Sequence, residues 1–316
     1  MTVENHPNDL LARIHDPDLA ARRLAIMELE DDLHAEHLPA LIEATRDPDA
    51  AIRRLAVKYI EELGDPHGIP AVLACVGDVE PDIAAAAKLA LREFRDVAAV
   101  GPLLASVNDP SALVRGAVAF GLRELRVPEA LPALELLYAD PDITVRREVV
   151  MALGFLHLRD CLKTLRAALL DRDPYTRRLA VGAMAFYQDP ALAGELEPCS
   201  RDADWQVRQE VAVVLARLGG PTAQDLLSGL LDDPAWQVKK EAAISVGRLG
   251  VKNEKLIVLT RYPQADVRKA AIVALGQSVD RTSVDAVAAC LADDDIEVRK
   301  AARRTMDTLF PRMADG

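Results

Sequence analysis

The chain has 316 residues, half of them apolar and 28% charged, with a formal net charge of −12. That balance fits a folded chain and excludes a disordered one. The acidic excess disfavours nucleic acid as the partner, because duplex binders need cationic surface to displace counterions.

The opening stretch MTVENHPND has neither a basic region nor an apolar run, so no secretory signal is expected there. No run of about 18 apolar residues occurs, so no membrane span is expected. The expected setting is the cytoplasm.

From Asp16 onward one motif recurs. DPDLAARRLA starts at Asp16, DPDAAIRRLA at Asp47, DVEPDIAAAA at Asp78, DPSALVRGAV at Asp109, and DPDITVRREV at Asp140. DRDPYTRRLA follows at Asp171, DADWQVRQEV at Asp202 and DPAWQVKKEA at Asp233, each 31 residues after its predecessor. The ninth copy, YPQADVRKAA, starts two residues early at Tyr262, and the tenth, DDDIEVRKAA, starts at Asp293. A fixed period in the range 20–50 signals a solenoid.

Each copy reads as two helices. The first opens with Pro39, Pro70, Pro102 or Pro132, where a missing N–H costs least. The second follows the turn Asp and contains an Arg six residues on. Four residues before that Arg stand Asp18, Asp49, Ser111, Asp142, Asp173, Asp204 and Asp295, all suited to capping a helix N-terminus. Gly64, Gly219 and Gly250 stand where the second helix should stop. Apolar residues one before the Arg (Ile52, Val145, Val207) and seven after it (Leu29, Leu153, Leu215) form one helical stripe. One repeat cannot bury that stripe alone, so neighbours must stack.

Pro early in the first helix, Asp in the turn, Val-Arg at the start of the second helix and Leu-Gly at its end resemble HEAT repeats. The short PBS-lyase HEAT-like kind is the nearest in pattern. The resemblance implies an all-α, right-handed α-solenoid of about ten two-helix repeats across residues 10–310 as one domain. Residues 1–9 and 311–316 are expected to be loose ends. The resemblance further implies that the second helices line the concave surface. It also implies that the column Arg22, Arg53, Arg115, Arg146, Arg177, Arg208, Lys239, Arg268 and Arg299 forms a ladder with turn aspartates. Ala84 interrupts that column and marks a softer joint.

The outward face of the second helix is centred one, five and eight places after the Arg. Through the middle repeats it holds Phe120, Met151, Val213, Ile244 and Val273, flanked by Phe155 and Phe186. Beside them runs a basic row that includes Arg147, Arg178, Lys240 and Lys269. Trp205 and Trp236 lie one repeat apart, either packing at the start of the helix or forming a platform for a partner. The expectation is a groove with an apolar floor, a basic row and charged ends. Glycines such as Gly247 and Gly276 leave a second explanation open, close approach of neighbouring helices.

Cys75, Cys199 and Cys290 share one position on the first helix and read as buried free thiols, while Cys161 stands apart near a turn. No CxxC, no HExxH, no GxSxG and no Gly-rich phosphate loop occurs. His34, His37 and His67 read as turn residues, and no metal or other cofactor is expected. One HEAT-like iron enzyme uses His-Glu dipeptides, which this chain lacks.

The expected function is a non-catalytic scaffold or adaptor, with no catalytic residues. It would hold a protein partner, an amphipathic helix or an apolar segment with acidic flanks, in the groove. The alternative implied by the resemblance is a bilin-lyase-like protein or a chaperone for a hydrophobic acidic cofactor. A HEAT-like DNA-lesion enzyme is disfavoured by the negative charge.

Overall fold

A computed structural model describes residues 12–278 and 281–309; the expected loose ends, 1–9 and 311–316, lie outside the described residues. All regular structure among the described residues is helical. The chain divides into two compact units, Met1–Cys161 and Leu162–Gly316. The first runs α1 (Leu19–Met27), α2 (Leu38–Ala44), α3 (Ala50–Leu63), α4 (Ile69–Cys75), α5 (Pro81–Ala90), α6 (Val100–Ala105), α7 (Ala112–Leu125), α8 (Leu131–Tyr138) and α9 (Ile143–Leu156). The second takes up α10 (Cys161–Ala168) from its second residue and continues through α11 (Pro174–Met184), α12 (Trp205–Leu218), α13 (Gly220–Leu230) and α14 (Trp236–Arg248). It closes with α15 (Lys255–Leu259), α16 (Ala265–Gln277), α17 (Val284–Ala289) and α18 (Ile296–Leu309). The second helices of the repeats are α1, α3, α5, α7 and α9 in the first unit and α11, α12, α14, α16 and α18 in the second.

Local chemistry sets the helix ends. The Asp18, Asp49, Asp142, Asp173 and Asp204 carboxylates each accept from a first-turn N–H. Ser111 occupies the same place without a side-chain cap. At the far end Gly64 takes a left-handed conformation with φ 61°. Arg126, His157 and Gln188 adopt the same conformation at the equivalent place, although a Cβ there costs roughly 1–2 kcal/mol.

The stripe is sealed as stacking demands. Ile52, Val145, Val207, Val267, Leu153, Leu215 and Leu275 are all fully buried. Each such side chain contributes about 1.5–3 kcal/mol relative to exposure. Cys75, Cys199 and Cys290 are buried and free, and their thiols donate to the carbonyls of Thr45, Leu169 and Thr260, each 30 residues earlier. Cys161 is also buried; it opens α10, so the sequence position near a turn did not reveal its burial.

One interaction repeats with little variation. Arg208 donates from Nε and Nη2 to both Asp233 oxygens at 2.6 and 2.9 Å, and from Nη1 to the carbonyls of Asp202 and Ala203. Arg22 to Asp47, Arg53 to Asp78, Arg115 to Asp140, Arg177 to Asp202 and Arg268 to Asp293 pair in the same way, with closest contacts of 2.6–2.8 Å, and each also donates to a carbonyl of its own turn. Each Asp also accepts the N–H two residues on, as Asp233 does from Ala235 at 2.8 Å. One carboxylate therefore shapes its own turn and receives the guanidinium of the preceding repeat.

Two outcomes test this ladder. Arg208→Ala leaves the buried Asp233 carboxylate without its guanidinium and should lower unfolding free energy by about 3 kcal/mol in urea titration. Arg208→Lys should recover only part of it, because an ammonium cannot serve both oxygens and two carbonyls at once. The second outcome is a pH effect. The Arg53, Arg115 and Arg268 guanidiniums hold the Asp78, Asp140 and Asp293 carboxyls below the usual range. Carboxyls depressed in the folded state contribute stability above their unfolded pKa and lose it as pH falls through the folded value. The urea midpoint should fall below about pH 4, and Arg115→Ala should flatten part of that fall.

Candidate partner-binding face

The face of the second helices is taken unit by unit. In the first unit, Phe120 departs from expectation. It is only 5% exposed, because three cations cover it: Lys88, Arg92 and Arg123 lie 5.1, 5.5 and 4.5 Å from its ring centroid. Arg123 in turn donates to Glu124 at 3.0 Å and reaches Glu148 at 3.4 Å. Met151 is half-buried and Phe155 is exposed, with Arg123 and Arg126 set against the Phe155 ring at 5.5 and 5.2 Å. Arg147 is half-buried. A cavity of about 560 Å³ opens between α5 and α7, walled by Ala84, Leu89, Leu113 and Gly116.

In the second unit, Phe186 and Val273 are exposed, while Val213 and Ile244 are half-buried. Trp205 is exposed and Trp236 half-buried. The basic row makes specific contacts. Arg178 lies 4.7 Å from the Tyr175 ring and Lys240 lies 5.5 Å from Trp236. Lys240 stands 3.6 Å from Asp266, and Lys269 stands 3.7 Å from Glu297. Arg23 does likewise in the first unit, 2.6 Å from Asp49. Part of this row is thus already paired with acidic residues near the start of the following second helix. A depression of about 360 Å³ between α16 and α18 is lined by Lys269, Val273, Lys300 and Arg304.

Two glycines of this face, Gly247 and Gly276, are sealed by close approach. A Cβ on Gly247 would lie 2.9 Å from the Ala274 Cα, and one on Gly276 would lie 3.0 Å from Thr305. The apolar side chains accessible on this face are therefore fewer than expected: Phe120 is covered and Gly154, Gly247 and Gly276 are buried, whereas Leu89 and Val273 stay exposed.

Sequence reasoning missed three carboxylates. Glu148, Glu210 and Glu241 stand two after the Arg column, where other repeats carry Leu24, Leu55, Ala117 or Leu179. The side chains of Glu148 and Glu241 are mostly buried. Burial pushes the Glu210 carboxyl up, against the pull of Arg178 and Arg217. The break in an otherwise apolar column was the signal that could have found them.

The histidines take structural places. His37, read from the sequence as a turn residue, is buried, and its Nδ1 accepts from the His34 N–H at 3.1 Å. His67 lies 2.7 Å from Asp65. Among the described residues no group of three or more His, Cys, Asp or Glu side chains is placed to hold a metal ion. No helix among them is long and apolar enough to cross a membrane.

The profile of HEAT repeats matches residues 7–92, 134–202 and 192–262. The chain belongs to the HEAT-repeat family. The PBS lyase HEAT-like repeat profile matches residues 114–140, which hold both ends of one HEAT rung, Arg115 and Asp140. No curated protein matches the chain in sequence.

Among solved structures, an engineered protein is similar over 96% of this chain and 98% of its own, at 18% identity and a TM-score of 0.50. A chain from the complex of Kap95p with RanGDP is similar at 13% identity and a TM-score of 0.64, over 98% of this chain and 52% of that one. The karyopherin Kap121p, bound to the extreme C-terminus of the protein phosphatase Cdc14p, is similar at 15% identity and 0.61, over 96% and 41%. The HEAT chain thus spans about half the length of those two relatives or less, and at these identities the likeness is one of fold.

The sealed glycines give a paired prediction. Alanine normally stabilises a helix over glycine by about 1 kcal/mol. Gly229→Ala, with nothing within 4 Å of the new methyl, should gain up to that amount. Gly247→Ala should instead lose about 1–3 kcal/mol through overpacking. Urea unfolding of both variants checks the opposite signs.

Proposed function

We propose that this HEAT-repeat chain is a non-catalytic interaction scaffold or adaptor. Its second-helix faces would take up an amphipathic helix, or an apolar segment with acidic flanks, from a partner protein. The observation that carries this reading is the run of large apolar side chains left accessible on that face in each unit. Leu89 and Phe155 are exposed in the first, Phe186 and Val273 in the second, and all four lie within a turn or two of Arg or Lys side chains. Apolar side chains that together form a contiguous exposed patch, rimmed by polar groups, mark interaction surfaces. The fold neighbours add support of a coarser kind: Kap95p is named with RanGDP and Kap121p with a Cdc14p terminus.

A bilin-lyase-like role draws on the PBS lyase HEAT-like match at residues 114–140. That segment carries ladder and core positions that any such repeat requires, so it favours the fold over the chemistry. A bilin titration followed by absorbance separates the two readings.

A displayed library of helix-forming peptides provides the direct test. Selection on the full chain should enrich amphipathic sequences with acidic residues beside the apolar ridge. A class of them should bind at least tenfold more weakly to Val273→Glu/Ile244→Glu. Enrichment of no such class, or equal binding to the double variant, would count against the second-unit face.

A further inference from the structure

The ladder fails once within the first unit, at the step from α5 to α7. The Arg column holds Ala84 there, and the Asp109 side chain keeps only the turn bond from its own Ser111 N–H at 2.7 Å. The helix that should carry the Arg is short, ten residues against fourteen in α3, α7 and α9. It opens on Glu80 with no side-chain cap.

Backbone packing fails at the same step. Within each unit the other successive second helices pack directly on one another, whereas α5 and α7 scarcely touch. The gap is the cavity of about 560 Å³, within the range of volumes that bury a compact ligand. Its walls are mostly apolar, with Lys88, Thr144 and Glu148 as the polar members, and Leu89 and Leu113 remain 50% and 60% exposed at its mouth.

Charge surrounds this apolar wedge asymmetrically. Lys88 of α5 reaches past α7 to Glu148 of α9 at 2.5 Å, and Arg123 shares the same carboxylate. Glu124 takes the rest of Arg123. Arg92 is exposed beside the Phe120 ring. Lys88 and Arg123 are thus matched by Glu148 and Glu124, and the exposed Arg92 is the cation left over at the Leu89 end of the wedge, away from Asp109 at the turn end, on a chain whose net charge is −12.

We propose that the α5–α7 wedge is a docking site for an amphipathic helix of a partner protein. Two or three of the helix's apolar side chains enter between Leu89 and Leu113, and a carboxylate one turn away meets Arg92. This inference rests on the scaffold reading and locates one binding position for it. Charge complementarity selects the occupant: the exposed Arg92 favours a carboxylate on the entering segment, and a second copy of this acidic chain is opposed by mutual repulsion. The missing rung supplies the opening, because an Arg at residue 84 would draw α5 toward Asp109.

The test uses peptides selected on the full chain, with affinities measured by fluorescence anisotropy at two salt concentrations. One class should lose at least tenfold affinity against Leu113→Glu and against Arg92→Glu while binding Val273→Glu/Ile244→Glu unchanged. Its affinity should also weaken with salt. Both substituted side chains are exposed, and thermal melts matching wild type confirm that the variants are folded. If every selected peptide is indifferent to Leu113→Glu and Arg92→Glu but sensitive to the second-unit variant, the wedge proposal is overturned and the scaffold reading stands. If no amphipathic peptide is selected at all, both fall. A dimer in sedimentation that Leu113→Glu dissociates would overturn the partner helix in favour of a second copy.

Discussion

The Arg–Asp rung is the interaction on which the rest of each unit depends. A repeat of two helices buries too little by itself, so its fold is decided by how it sits on the next. The apolar stripe supplies most of the attraction but no sharp register, because hydrophobic contact is non-directional. The guanidinium supplies register. It grips two carbonyls of its own turn and both oxygens of the following turn's carboxylate, as Arg208 does. That carboxylate is held in turn by a backbone N–H of its own loop. Orientation at each step is thereby tied to the local shape of the turn.

Where the rung changes chemistry, the packing follows. At Lys239 the fork is lost and the opposite turn offers Tyr262 in place of Asp. The ammonium then donates to the Leu231 carbonyl at 3.2 Å and lies 5.4 Å from the Tyr262 ring. The step survives: α14 and α16 pack closely enough that Gly247 has no room for a methyl. The two-residue shortening before Tyr262 therefore leaves the helices in contact. At Ala84 nothing replaces the guanidinium, and α5 parts from α7. Leu89 and Leu113 stand exposed beside the gap, and Lys88 spans it to Glu148.

The sequence made the architecture legible because periodicity survives divergence. Val145 and Leu153 could be placed in the core from spacing alone; the Arg–Asp ladder came from the HEAT resemblance, and the structure supplied the choice of the next repeat's Asp, as in Arg22 with Asp47. The face that would meet a partner was legible only in part. Its residues could be named from the helical step, but exposure depends on what crosses from neighbouring helices. Phe120 looked open and is roofed by Lys88, Arg92 and Arg123. These come from a repeat earlier and from its own helix's next turn, a relation that no column of equivalent positions displays. The basic row looked available and is partly spent on Asp49, Asp266 and Glu297. Glu148, Glu210 and Glu241 went unnoticed because each repeat was read for what it shared, and these carboxylates are where repeats differ.

The buried thiols have a practical consequence. Burial pushes the Cys199 thiol up to about 11, and those of Cys75, Cys161 and Cys290 also rise. For Cys199 about one molecule in ten thousand is thiolate at neutral pH, and thiolate is the form that alkylating reagents and oxidants attack. The native cysteines are therefore a dark background for maleimide chemistry. A fluorophore pair installed on engineered surface cysteines would report distances within a unit without stripping the core of a single sulfur.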